Sequence, residues 1–422
     1  MPVGIGLFLS GITSYAFFKV GQEALGKEAF KPLVALWFTT FALVPGVFLP
    51  VEQEIGRALA HRRALGHGGR PVIRRIVPLA TGLAGLLILG TVLGSPWLSS
   101  DMFEGYGIVT LALVVSFLSY GPMHVIRGIA SGSGRFVAYG LALGTDGAVR
   151  ILSCCALWAL GVDTVGPYAI AVAISPMVAT LVVVGKGDAR TNDGPPATFA
   201  EITPNLGWLL LGSIMAAGLV NAGPLGVDIL ASTSEAEKVT AFGNGVLLAR
   251  IPLFLFQAVQ AALLPRLARL AAKGDLSEFR TGLTLLMRVV GAVAVVGVAG
   301  SFALGPQVLD IVYDGGLDRR TLTLLAIASG LYMMALALAQ AVIALQGHRL
   351  VAFGWTAAMA TFLVVTAVSA DDLYLRVEFG LVAASLCALS MFMWAYRRRI
   401  ASGATPSADS MIDGIADNSF EG

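Results

Sequence analysis

A dozen apolar stretches, each about long enough to cross a bilayer and nearly free of charge, leave this chain few ways to fold. They lie near residues 2–19, 32–50, 76–95, 107–126, 137–160, 167–185, 207–228, 241–264, 289–306, 321–346, 350–370 and 379–396. About 20 apolar residues cross the roughly 30 Å hydrocarbon core as a helix. A helix also satisfies its backbone groups internally, which lipid requires. Only 13% of the residues are charged, against about 25% in a soluble domain. Fifty glycines suit helices that approach one another closely. The chain is therefore expected to be an all-α polytopic membrane protein. No charged leader with a small-residue cleavage site precedes the first stretch, so that stretch is expected to be retained.

A net charge of +2 gives no basis for nucleic-acid binding, and the placement of the charges says more. With both termini assumed cytoplasmic, 19 of the 28 lysines and arginines fall in inner segments and seven in outer ones. Arg150 and Arg250 are left within spans. The positive-inside bias selects this orientation. Cys154, Cys155 and Cys387 lie in apolar stretches without pairing or metal spacing. His61, His67, His124 and His348 do not cluster with carboxylates as metal ligands would, so no metal and no cofactor is expected.

The chain also repeats itself. Arg135-Phe136-Val137-Ala138-Tyr139-Gly140 matches Arg349-Leu350-Val351-Ala352-Phe353-Gly354 at an offset of 214. The same offset pairs Arg74 with Arg288 and Gly166 with Gly380, and one residue more pairs Pro50 with Pro265. Six spans separate the copies. The expectation is two parallel six-helix lobes related by a pseudo-twofold axis along the membrane normal, an arrangement found in secondary transporters. The first lobe is expected over residues 1–185 and the second over 207–400. A cytoplasmic loop, 186–206, joins them through Asn192-Asp193-Gly194-Pro195-Pro196. Residues 401–422 form a polar, acidic tail expected to be disordered. After Pro50 and Pro265, the segments beginning Glu52-Gln53-Glu54 and Arg266-Leu267-Ala268 read as amphipathic surface helices, their basic groups explained mainly by topology.

Polar groups inside the spans are the candidate site residues, because lipid makes them costly unless they face protein or water. Asp146 and Arg150, four apart, share a helix face and can pair. Asn221 and Asp228 are seven apart on one span, and Arg250 and Gln257 seven apart on the next. These six are expected to line a water-filled space between the halves, with Asp146–Arg150 as a neutralised pair and Asp228 as an interfacial residue the competing readings. Arg250, followed by Pro252, has no carboxylate three or four residues away. Its planar fork suits phosphate oxygens.

The run Ala249-Arg250-Ile251-Pro252 to Gln257-Ala258-Val259-Gln260-Ala261-Ala262-Leu263-Leu264-Pro265-Arg266-Leu267 resembles the equivalent segment of bacterial polysaccharide-biosynthesis membrane proteins. So do Val51-Glu52-Gln53-Glu54, Arg127-Gly128 to Gly134-Arg135-Phe136, and Asn221-Ala222-Gly223-Pro224. Those proteins belong to the multidrug/oligosaccharidyl-lipid/polysaccharide exporter superfamily, on its O-antigen flippase side. The resemblance covers nearly the whole chain except the acidic tail. It implies alternating-access flipping of a saccharide on a polyprenyl diphosphate across the bacterial cytoplasmic membrane, by a monomer that binds lipid-linked saccharide and membrane lipid. Two other functions stand beside this one. A multidrug or small-molecule cation antiporter needs a buried carboxylate, for which Asp146 and Asp228 are the candidates. A membrane sugar or polyprenyl transferase would use loop carboxylates, but Asp310, Asp314, Asp318, Asp371 and Asp372 form no tight motif. Transport rather than catalysis is the reading taken forward.

Overall fold

The computed structural model describes residues 2–202, 205–253, 256 and 276–402. Among them every regular element is helical. Twelve helices of 14 residues or more follow one another: α1 (Pro2–Leu25), α2 (Lys31–Ala64), α3 (Arg70–Leu93), α4 (Gly107–Gly132), α5 (Phe136–Ala159), α6 (Val165–Gly185), α7 (Leu206–Leu230), α8 (Ala236–Ala249), α9 (Leu276–Tyr313), α10 (Arg319–Ala344), α11 (His348–Val368) and α12 (Leu373–Ala401). All but α8 are long and apolar enough to cross a membrane. Helix follows helix because each apolar run is bounded by a turn-forming segment, and each expected span falls on one helix except 241–264, which α8 covers only to Ala249 and which runs on beyond the described residues. The exposed surface is correspondingly apolar: Leu93 is 73% exposed, Val296 71% and Ile311 80%. Apolar surface on this scale is stable in lipid rather than in water. It is most extensive on α3 and α9, whose apolar stretches are largely unburied.

Two helices run past their expected ends. Pro50 was expected to close the second span and open a surface helix, but α2 continues through Pro45 and Pro50 for 34 residues. A proline removes one hydrogen bond to the carbonyl four residues back and bends a helix without having to end it. Here the turns beyond it are held by packing. Val51, Ile55, Ala58 and Leu59 form one buried cluster with Val72 and Ile76 of α3 and Ile129 of α4. Likewise α9 begins at Leu276, ahead of the expected residue 289, because Phe279, Leu283 and Leu286 are buried in its early turns. The expected surface helix after Pro265 lies outside the described residues, as does the tail beyond Ser402.

The chain divides into two compact units, Met1–Leu206 with Pro224–Gly243, and Gly207–Gly223 with Asn244–Gly422. The division falls after Leu206, at the end of the 186–206 loop, and again within α7 and α8. In the first unit α1 packs on α5, α2 on α4, and α6 on both α4 and α5. In the second α9 packs on α10, and α12 on both α10 and α11. At the sequence offset of 214, α4, α5 and α6 fall on α10, α11 and α12, so the packing of the last three helices repeats. Small residues set the close approaches. A Cβ on Gly132 would come within 2.6 Å of the Gly56 carbonyl oxygen, and one on Gly128 within 2.8 Å of that of Glu52. Gly128 and Gly132 thus act as a G-x-x-x-G face that lets α4 touch the α2 backbone.

The 186–202 segment is strapped to the first unit. The Arg62 guanidinium meets the Glu201 carboxylate at 2.6 and 3.0 Å and donates to the Pro195 and Pro196 carbonyls. Arg70 pairs with Asp193 at 2.7 Å. Arg75 lies 4.8 Å from the ring of Phe199, which opens a short helix, Phe199–Ile202. Hydrogen bonding from Arg62 holds the Glu201 carboxyl below the usual carboxylate range.

Candidate functional site

Asp146 and Arg150 meet as their spacing requires. Both are buried on α5, with Arg150 Nη1 3.6 Å from Asp146 Oδ2. Helices on either side complete the site. Ser175 Oγ of α6 lies 2.6 Å from Asp146 Oδ1, and Arg150 Nη2 lies 3.4 Å from Thr13 Oγ1 of α1. The guanidinium also sits 5.0 Å from the Trp37 ring of α2, a cation–π contact. Ser175 is placed by Pro176. Having no N–H, that proline leaves the Val172 carbonyl without its helical donor, and Ser175 Oγ lies 3.1 Å from that oxygen. The carboxylate is matched by a cation and a hydroxyl within the helix core.

Asp228, at the C-terminal end of α7, joins a different group of the same unit. Its Oδ1 is 3.6 Å from Nζ of Lys31, which also contacts Glu104 Oε1 at 2.9 Å. Lys31 and Asp228 are both buried, so Asp228 is not the solvated interfacial group that its position near a span end suggested.

Arg250 is where α8 breaks. The helix closes at Ala249, Arg250 is a turn, and helix resumes at Ile251. Pro252 explains the break, because its ring and missing N–H disturb bonding to the residue four back. The half-buried guanidinium reaches α7, donating to Asn221 Oδ1 at 3.1 Å and to the Val220 carbonyl. Val220 stands four residues before Pro224, so its oxygen has lost its helical donor, and arginine takes the vacant place. Asn221 is fixed by its own Nδ2, which donates to the Ala217 carbonyl at 2.8 Å. In α10, Tyr332 donates to the neighbouring Ala216 carbonyl. Arg250 and Asn221, on separate spans, are thus brought together. Gln257 lies outside the described residues.

One buried cluster escaped the sequence reading. Glu52 was assigned to a surface helix and His124 was set apart from any carboxylate, yet His124 Nδ1 lies 2.7 Å from Glu52 Oε2. Tyr139 donates to Glu52 Oε1 at 2.7 Å, and Arg127 Nη2 donates to the Tyr139 oxygen and lies 3.2 Å from Glu52 Oε1. The group joins α2, α4 and α5. Glu52 and Tyr139 border a cavity of about 470 Å³ whose walls include Gln53, Arg57, Ser131 and Phe136. The partners are 72 and 87 residues apart, so no local spacing signals them. The extension of α2 beyond Pro50 creates the cluster.

No family model matches the chain. Uncharacterized proteins of Mycobacterium bovis and Mycobacterium tuberculosis are 26% identical to it over 374 residues, covering 84% of this chain and 82% of theirs. Solved structures are similar over nearly the whole length. An outward-facing multidrug resistance MATE family transporter of the MOP superfamily has a TM-score of 0.70 at 16% identity, with 96% of both chains covered. An inward-facing structure of such a transporter gives 0.67 at 16% identity, covering 96% of this chain and 95% of that one. A MATE protein in complex with MaL6 gives 0.68 at 17% identity, covering 95% and 94%. The chain has the fold of these transporters.

Proposed function

We propose that the chain is an alternating-access exporter of the bacterial cytoplasmic membrane, acting as a monomer with both termini in the cytoplasm. Its proposed cargo is a saccharide carried on a polyprenyl diphosphate. The transport part draws support from the likeness to structures described as outward- and inward-facing, each over at least 95% of this chain. The cargo part leans on Arg250, with Arg150, Asp146, Asn221, Asp228 and Gln257 as the accompanying candidate site residues. Arg250 is a guanidinium on a helix break, oriented by the neutral oxygens of Asn221 and Val220. A guanidinium held by side chain and backbone is pre-oriented for an anionic group and matches phosphate in two-point contact. The two carboxylates that the sequence offers to an exporter of cationic molecules, Asp146 and Asp228, are each matched by a cation.

A multidrug or small-molecule cation antiporter is the second reading, favoured by the description of the solved neighbours as multidrug resistance transporters. Purified wild type, Arg250→Ala and Arg250→Lys in proteoliposomes separate the two. Loss of a charged hydrogen bond costs about 1.5–3 kcal/mol, so Arg250→Ala should slow lipid-linked saccharide flipping by about tenfold or more. Its melting temperature should fall only modestly, through the acceptors left on Asn221 and Val220, with the protein still folded. Arg250→Lys should keep part of the rate. Wild-type flipping by a stable Arg250→Ala protein would remove the phosphate role, and efflux of a cationic dye without any flipping would install the antiporter.

A further inference from the structure

Glu378 takes no part in the groups described above. It lies six residues into α12, fully buried in the second unit, and neither carboxylate oxygen has a hydrogen-bond partner among the described residues. Thr321, at the start of α10, brings its buried hydroxyl to this carboxyl and acts on it, but stands outside normal hydrogen-bond geometry. Thr366 of α11 buries another and packs on α12 at Gly380, where an added Cβ would come within 2.1 Å of its Oγ1. Two helices, α10 and α12, therefore bring a buried carboxyl and a buried hydroxyl together without a hydrogen bond at normal distance to either. A fully satisfied structural network would not leave both so.

The charged groups acting on Glu378 stand at exposed helix ends. Asp318 caps α10 by accepting from the Thr321 amide at 2.9 Å, and Asp372 caps α12 by accepting from that of Leu375 at 2.8 Å. Arg320 sits between them, 3.9 Å from Asp318 and 3.7 Å from Asp372. An ionised carboxylate without a hydrogen bond is strongly disfavoured in a protein interior, whereas the neutral acid is not. Ionisable groups kept inside membrane spans commonly serve ion or proton movement.

We infer that Glu378 is a proton-binding site of the second unit. It holds a proton as the neutral acid and releases it to water past Asp318, Arg320 and Asp372 when α10 and α12 part. The site itself stands apart from the export reading; only the use of the proton in a transport cycle rests on it. The exchange is simple, one carboxyl O–H against one carboxylate and one hydrated proton.

Infrared difference spectra of the purified full-length protein, recorded as the pH is raised, test this directly. Wild type should show the carbonyl band of a protonated carboxyl at neutral pH, lost reversibly in alkali and absent from Glu378→Gln. Removing the Arg320 charge with Arg320→Gln disfavours the carboxylate and should move the midpoint to higher pH. Asp372→Asn keeps the helix cap, removes a negative neighbour and should move it lower. Should Glu378→Gln fail to fold, the opposite shifts in the two surface variants still decide the matter. Identical spectra for wild type and a folded Glu378→Gln would overturn the proposal. So would carboxylate bands that respond to sodium but not to pH, since the oxygen cluster would then be a cation site. A band that titrates in a protein without transport would sink the exporter reading and leave the proton site standing.

Discussion

Arg150 shows what one buried charge demands of its surroundings. Thr13, Asp146 and Trp37, from three helices, are disposed around a residue with no exposed surface, and Ser175 of a fourth bonds Asp146. Removing one partner of a buried ion pair leaves the other uncompensated, at about 3–5 kcal/mol. Arg150→Ala should therefore lower stability by that order in chemical denaturation, and Asp146→Asn together with Arg150→Met should recover much of it. A single Arg150→Ala protein as stable as wild type would mean that Asp146 had found another way to satisfy its charge. This pair was legible because two residues four apart on one helix must share a face. The Arg250–Asn221 contact, 29 residues apart, and the Glu52–His124 contact, 72 apart, were not. Each depends on which helices pack together, and no local spacing encodes that.

At the scale of the element, prolines decide where polar side chains go. Pro224 releases the Val220 carbonyl to Arg250, and Pro176 releases that of Val172 to Ser175. Pro224→Ala restores an N–H to α7 and gives Val220 its helical bond back. Its guanidinium contact should weaken, and flipping should fall in the direction of Arg250→Ala while the melting temperature is kept or raised. A Pro224→Ala protein with full flipping would show that the freed carbonyl does not position Arg250. The same chemistry explains the misread end of α2. Proline reads as a stop, but the burial of Ile55, Ala58 and Leu59 outweighs the single lost bond, and only the folded chain reveals that packing. The 186–202 strap is an element with a pH signature. Glu201 is ionised and bonded to Arg62 in the fold, so its folded titration lies below its unfolded one. The unfolded strap then binds a proton first. The stabilisation is present above the ordinary carboxylate range and is lost as pH falls through the lowered folded value. Limited proteolysis of the strap should accelerate on acidification in wild type and be fast and nearly independent of pH in Glu201→Gln.

At the scale of the whole molecule, hydropathy carried the helices, and the charge count sets an expectation for the orientation. The twelve apolar runs were readable because lipid imposes one rule on every residue of a span. Orientation follows from a bias summed over many loops. It is tested on α3, whose ends are marked by the α2–α3 turn holding His67 and the segment ahead of α4 holding Phe103. A single membrane-crossing helix between those points places them on opposite sides. The α2–α3 connection is rich in arginine, with Arg62, Arg63, Arg70, Arg74 and Arg75 close together, so the positive-inside bias predicts it in the cytoplasm. A reporter active only outside the cytoplasm should therefore be silent when fused after His67 and active after Phe103. The opposite result would invert the protein. It would place the Arg62–Glu201 strap on the outer side and leave the entry of Arg250's proposed cargo to be argued from the other face.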